Sequence, residues 1–130
     1  MYISDNNVNH TNSELQFFIM DKKYTAKSID VSNSEQVFHI KWADGHETEF
    51  SLFGLRKNCP CVECRGGHDK MGKYEVELFK VNPTREFKIL KAEPVGNHAL
   101  KIHWDDGHNT GMYQWQLLRA MSEALEKNND

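Results

Sequence analysis

The chain has 130 residues, carries 16 Lys and Arg against 19 Asp and Glu for a formal net charge of −3, and is 38% hydrophobic. A chain of that length closes one core and not two. Its longest apolar run, Phe17–Met20, is far short of the ~20 residues that span a bilayer, and its slightly acidic balance excludes a binder driven by nucleic-acid phosphates.

Residues 1–14 are rich in Asn, Ser, Asp and His and offer almost nothing to bury, so they read as a disordered tail ahead of a domain over residues 15–130. Neither a basic n-region nor an apolar h-region marks a secretory signal, so the expected compartment is the cytoplasm, where thiols stay reduced. The run from Leu15 to Met20 shows no clear period. From Val37 to Trp42 the pattern alternates, with Phe38, Ile40 and Trp42 facing one way and Val37, His39 and Lys41 the other, which is the period of a strand. Tyr74, Val76 and Leu78, with Glu75 and Glu77 opposite, predict a further strand. Phe87 to Ala92 predicts another, closed by Pro94 and Gly96, and Leu100, Ile102 and Trp104 one more. Trp115, Leu118, Met121 and Leu125 stand at helical spacing, with Arg119, Glu123 and Lys127 off that stripe, and predict a C-terminal helix.

The sequence repeats. Ile40-Lys41-Trp42-Ala43-Asp44-Gly45-His46 returns 62 residues later as Ile102-His103-Trp104-Asp105-Asp106-Gly107-His108. Each copy closes a strand with Asp-Gly, the pair suited to both centres of a type I′ hairpin turn. Each is followed by an aromatic and then Leu-Arg: Phe50 through Leu55-Arg56, and Tyr113 through Leu118-Arg119. The expected architecture is α+β: a small β-rich single domain of duplicated strand-hairpin-helix units, with a short first helix cut off by Cys59-Pro60 and a longer C-terminal one. Trp42, Trp104, Trp115, Phe50 and Tyr113 are assigned to its core.

All three cysteines fall in Asn58-Cys59-Pro60-Cys61-Val62-Glu63-Cys64. Thiolates this close repel one another unless a cation lies between them, and Zn²⁺ takes four sulfur or nitrogen ligands tetrahedrally. The alternative, free thiols or one disulfide with a thiol left over, fits an odd count in a cytosolic chain less well. Three sulfurs leave one ligand to find among seven histidines. His10 lies in the tail, and His39, His98 and His103 sit in or beside strands. His68, His108 and His46 remain. Local spacing from Cys64 favours His68, while His108, just past an Asp-Gly turn, can reach the same end of the sheet as the cysteine loop.

The segments Leu55–Cys64, Pro94–Leu100 and Trp104–Tyr113, with the tandem W-x-D-G-H pattern, resemble the gamma-butyrobetaine hydroxylase-like N-terminal domain family over roughly residues 28 to 125. The resemblance implies a zinc site of three cysteines and one histidine at Cys59, Cys61, Cys64 and His108. It also implies that metal is dispensable for the fold in relatives that lack the cysteines. The hydroxylase performs its chemistry in a separate 2-oxoglutarate and Fe(II) domain that has no counterpart in these residues, so hydroxylation does not transfer.

Two decoys are set aside. His103-Trp104-Asp105 gives the H-x-D half of a facial triad without a spare distal histidine. Gly67-His68-Asp69-Lys70-Met71-Gly72-Lys73-Tyr74 satisfies G-x-x-x-x-G-K but puts Tyr at the Mg²⁺-binding position, with no strand before it and no helix after it. The expected function is a non-catalytic zinc-binding interaction module with a protein partner. The alternative is an accessory or carrier protein in iron–sulfur assembly holding iron or a cluster, since the resemblance links such domains to P-loop iron–sulfur carrier ATPases. A weaker third reading is a substrate-capture or accessory domain of a 2-oxoglutarate oxygenase, with aromatics caging a quaternary ammonium.

Overall fold

The computed structural model describes residues 22–66 and 73–127. The expected tail, the run Leu15–Met20 and His68 lie outside the described residues. Two three-stranded antiparallel sheets form the frame: β1 (Ala26–Ser32), β2 (Val37–Trp42) and β3 (Glu47–Ser51) in one, β4 (Ile89–Val95), β5 (Ala99–Trp104) and β6 (Met112–Gln114) in the other. Helix α1 (Leu52–Lys57) follows the first sheet and α3 (Trp115–Lys127) the second, with the single turn α2 (Val62–Arg65) after α1. The small α+β domain is thus a duplicated unit, and its first copy has one strand more than the sequence suggested. β1 was not anticipated because Ala26 is its one buried residue and the rest of it alternates weakly along a sheet edge.

The two copies match in detail. Ala26 pairs with Trp42 and Ile89 with Trp104, and each edge strand slips register just beyond that pair. The Ala43 N–H donates to Thr25 O at 2.9 Å and the Asp105 N–H to Lys88 O at 2.9 Å. Both hairpins form, but not through type I′ turns. Gly45 (φ +94°) and Gly107 (φ +87°) are left-handed, whereas Asp44 and Asp106 are not. The Gly45 N–H donates to Trp42 O at 3.0 Å and the Gly107 N–H to Trp104 O at 3.1 Å, giving three-residue loops that end in a glycine bulge. Each aspartate carboxylate accepts the N–H two residues on, from His46 and His108, both at 3.1 Å, which favours this three-residue loop.

Alternation in β2 and β5 buries Phe38, Ile40 and Trp42 from one sheet and Leu100, Ile102 and Trp104 from the other. Phe50, Leu52, Leu55, Tyr113, Trp115, Leu118 and Met121 complete one continuous core, so the aromatic assignment holds. Ser51 caps α1 by accepting the Gly54 N–H at 3.1 Å, and Asn58 closes it by donating to Gly54 O. Arg119 departs from the sequence reading. It is buried on α3 because it donates to Asp44, Glu123 and Lys23 O.

The expected strand through Tyr74, Val76 and Leu78 is a correction: Val76–Phe79 is a turn of 3-10 helix. Its would-be ladder is taken by a side chain. The Asn58 amide donates to Glu75 O at 3.0 Å and accepts the Glu75 N–H at 2.7 Å, and the chain then coils so that Phe79 covers Gly54, where any Cβ would collide with it. β4 also runs through Pro94 instead of stopping before it, as an edge strand permits. Among the described residues no helix is long and apolar enough to cross a membrane.

Candidate metal centre

The cysteine loop begins where α1 ends. Cys59 and Cys61 are buried and Cys64, on α2, is half-buried. The second hairpin supplies the fourth group: His108 Nε2 lies 3.1 Å from Cys59 Sγ, 3.5 Å from Cys61 Sγ and 3.6 Å from Cys64 Sγ. The four donor atoms all fall within 4.8 Å of one another. A tetrahedral ion with bonds of about 2.3 Å to sulfur and 2.0 Å to nitrogen requires sulfur–nitrogen separations of about 3.5 Å, so the donor set fits a zinc-like ion.

Electrostatics divides the thiols. Burial pushes Cys59 up to about 12, reinforced by the neighbouring sulfurs. Burial opposes ionisation of Cys61 too, but hydrogen bonds from the Cys64 backbone, the Thr110 hydroxyl and the adjacent thiols bring it down to about 6. The Cys64 N–H donates to Cys61 Sγ at 3.4 Å. A second or third thiolate is therefore costly without a cation, whereas attraction to a cation among them outweighs their mutual repulsion.

The other sequence candidates part company. His46 is not among the four clustered donors and instead meets Ser122 Oγ at 3.3 Å and Glu126 Oε2 at 3.0 Å on α3. His103 pairs with Glu93 at 2.6 Å while Asp105 accepts the Lys88 N–H at 3.0 Å, so the H-x-D pair makes no site.

The duplication shows what the centre replaces. In the first half Trp42 Nε1 donates to Thr48 Oγ1 at 2.8 Å, Thr48 meets Ser122 at 2.7 Å, and Ser122 meets His46. Ser122 occupies on α3 the place that Cys59 holds after α1, and His46 the place of His108. In the second half the hairpin carries one more residue: Phe38 faces Phe50, but Leu100 faces Tyr113. The register therefore puts Gly111 where the first half has Thr48, so no hydroxyl reaches the indole and buried Trp104 Nε1 has no partner among the described residues, while Thr110 turns its hydroxyl to the Cys61 sulfur. An orphaned indole N–H costs about 1–3 kcal/mol, a local penalty that the sulfur cluster exists in spite of. Gly111 accompanies the inserted residue, and a Cβ there would overlap Cys59 Sγ.

Sequence reasoning missed Arg56, Asp106, Thr110 and Gly111. The repeat carried the signal: Arg56 and Arg119, and Asp44 and Asp106, recur at matching places, and the offset between copies changes from 62 to 63 between His108 and Tyr113.

The chain is thus a duplicated two-sheet α+β domain with a Cys3His group, drawn from both halves, that could hold a metal ion. The sequence pattern of the gamma-butyrobetaine hydroxylase-like N-terminal family matches residues 29–119, and the chain belongs to that family. It is 36% identical over 85 residues to a gamma-butyrobetaine dioxygenase of Pseudomonas sp., an alignment covering 62% of this chain and 20% of the relative, so the match spans about a fifth of that enzyme. Its fold is similar to a crystal structure of an Acidithiobacillus ferrooxidans protein of unknown function, with TM-score 0.59 and 27% identity, covering 78% of this chain and 97% of that one. A solution structure determined by NMR is similar at TM-score 0.61 and 26% identity, covering 80% and 75% of the two chains.

Proposed function

We propose that the chain is a non-catalytic metal-binding interaction module in which Cys59, Cys61, Cys64 and His108 hold one Zn²⁺. The observation that carries this is the convergence of four donor atoms from the two halves of the duplication. When bound, the ion supplies the positive charge that three thiolates need. Four protein ligands close a tetrahedral shell, the pattern of structural and not catalytic zinc, which keeps a position open. The module then works as a rigid surface for a protein partner in the cytoplasm. Protein purified without added metal is expected to contain about one equivalent of Zn²⁺ and to lose ordered structure on chelation. Absence of stoichiometric metal by elemental analysis overturns the proposal.

A second reading rests on the three sulfurs and on half-buried Cys64. Such a set suits iron as well, and clusters take four thiolates, so three leave one iron for histidine or for a partner such as a P-loop iron–sulfur carrier ATPase. Anaerobic reconstitution separates the two: a brown protein supports the carrier, a colourless one that keeps zinc supports the module. The dioxygenase match supports an accessory role beside a 2-oxoglutarate oxygenase more weakly, and thermal-shift screening with trimethylammonium compounds tests it.

A further inference from the structure

Arg56 lies on the last turn of α1, three residues before Cys59. Its Nε and Nη2 donate to Asp106 Oδ2 at 3.1 and 3.0 Å, and its Nη1 donates to Cys64 Sγ at 3.8 Å. The other oxygen of the same carboxylate, Asp106 Oδ1, accepts the His108 N–H at 3.1 Å. One planar fork therefore touches the outermost sulfur of the cluster and, through a single carboxylate, the backbone of its histidine.

The first half of the molecule provides an internal control. Arg119 is the counterpart of Arg56 and Asp44 of Asp106, and they meet at 2.9 Å, here with the two terminal nitrogens on the two carboxylate oxygens. There the spare donors go to Lys23 O and Glu123, and among the described residues none goes to a sulfur. Stapling a hairpin loop to a helix is thus the common duty of both arginines, and the contact with sulfur is peculiar to Arg56. Its chemistry suits that duty. Three thiolates and a divalent cation leave one uncompensated negative charge, and a guanidinium at hydrogen-bonding distance offsets it while fixing the sulfur's direction.

We propose that Arg56 is a positioning residue of the metal centre, holding Cys64 and His108 in register and balancing the charge of the thiolates. The proposal rests on the metal-binding reading above. Partners outside the ligand shell commonly change metal affinity by about ten- to a hundredfold, and that is the loss expected for Arg56→Gln.

The test compares the full chain with Arg56→Gln, Arg56→Lys and Arg119→Gln. Zn²⁺ affinity is read by competition with a chromophoric chelator, and the thiolate-to-metal band of the Co²⁺-loaded protein reports the sulfurs directly. Arg56→Gln is expected to bind Zn²⁺ about ten- to a hundredfold more weakly and to shift the cobalt band. Arg56→Lys, which keeps the charge but cannot bridge both partners, is expected to fall between it and the unaltered chain. Arg119→Gln is expected to lower the melting temperature and leave affinity and band unchanged.

Unaltered affinity and spectrum in both Arg56 variants overturn the proposal, as does an equal loss of affinity in Arg119→Gln, which reduces Arg56 to a structural staple. If Arg56→Gln does not fold, Arg56→Lys decides alone, and wild-type affinity and band in it overturn the proposal. Failure of the unaltered chain to bind either Zn²⁺ or Co²⁺ defeats the metal-binding reading itself and is recognised without any variant.

Discussion

Arg119 on the last helix meets Asp44 in the first hairpin at 2.9 Å across 75 residues of sequence, and its side chain is only 7% exposed. The guanidinium also stacks over Trp42, 5.4 Å from the ring centre. With Arg56 and Asp106 as the reciprocal pair, each helix grips the hairpin loop of the opposite half.

Replacing Arg119 with Met keeps much of the packing and removes the donors, leaving Asp44 and Lys23 O short of a partner. Asp44 retains some water, so the expected loss is about 2 kcal/mol and not the larger cost of a fully buried broken pair. Urea unfolding checks this, and a loss under about 0.5 kcal/mol places the pair among ordinary surface salt bridges.

The same pair carries a pH signature. Burial draws the Asp44 carboxyl up, but the Arg119 and His46 hydrogen bonds outweigh it and hold the group below its ordinary 3.8. A depressed carboxyl contributes stability that is whole above its unfolded value and is lost as pH falls through the folded one. The stability gap between the unaltered chain and Asp44→Asn is therefore expected to stay level from neutrality to about pH 5 and to close below about pH 4. Both proteins carry the same cysteine centre, so its own acid sensitivity cancels in the difference. A gap independent of pH down to pH 3 contradicts the assignment.

Gly111→Ala places a methyl group on Cys59 Sγ. The sulfur or the hairpin must move, at an expected cost of about 1–3 kcal/mol, together with loss of bound metal. Thermal melting and metal content measured on one sample check both parts, and an unchanged pair of values removes Gly111 from the site.

Thr48 and Thr110 are expected to respond unequally. Thr48→Val strands the Trp42 indole in the interior and leaves Ser122 with His46 alone, costing about 1–3 kcal/mol. Thr110 is exposed, so Thr110→Val is expected to change stability by less than about 0.5 kcal/mol while altering the thiolate environment of Cys61. Equal destabilisation by chemical denaturation contradicts the view that the second half has no buried hydroxyl in the place of Thr48.

The hairpins were legible in the sequence because strand alternation and Asp-Gly are local signals that reinforce each other, and both copies carry them. Their turn type was not, because the carboxylate bonds to the His46 and His108 N–H groups favour a glycine bulge over two left-handed centres. The alternation of Tyr74 to Leu78 misled because the partner of that segment is the side-chain amide of Asn58, which no periodicity announces. Three cysteines in six positions marked the cluster at once. The histidine needed more than local spacing, which pointed to His68: the family resemblance implied His108, and the fold of the second hairpin is what brings it to the cysteines. Arg56 was hidden for the same reason, since its role depends on a loop fifty residues away.

The stretch from Lys80 to Glu86 that joins the halves is exposed along its whole length, whereas the grips between them are charged pairs, the Tyr113 hydroxyl on Leu55 O at 2.7 Å, and the edge-on packing of Trp42 with Trp115. The connector is thus a tether and the clasped arms are the fastening. A nick in it leaves two fragments that each display the other's missing counterpart, which makes this domain a natural subject for fragment complementation.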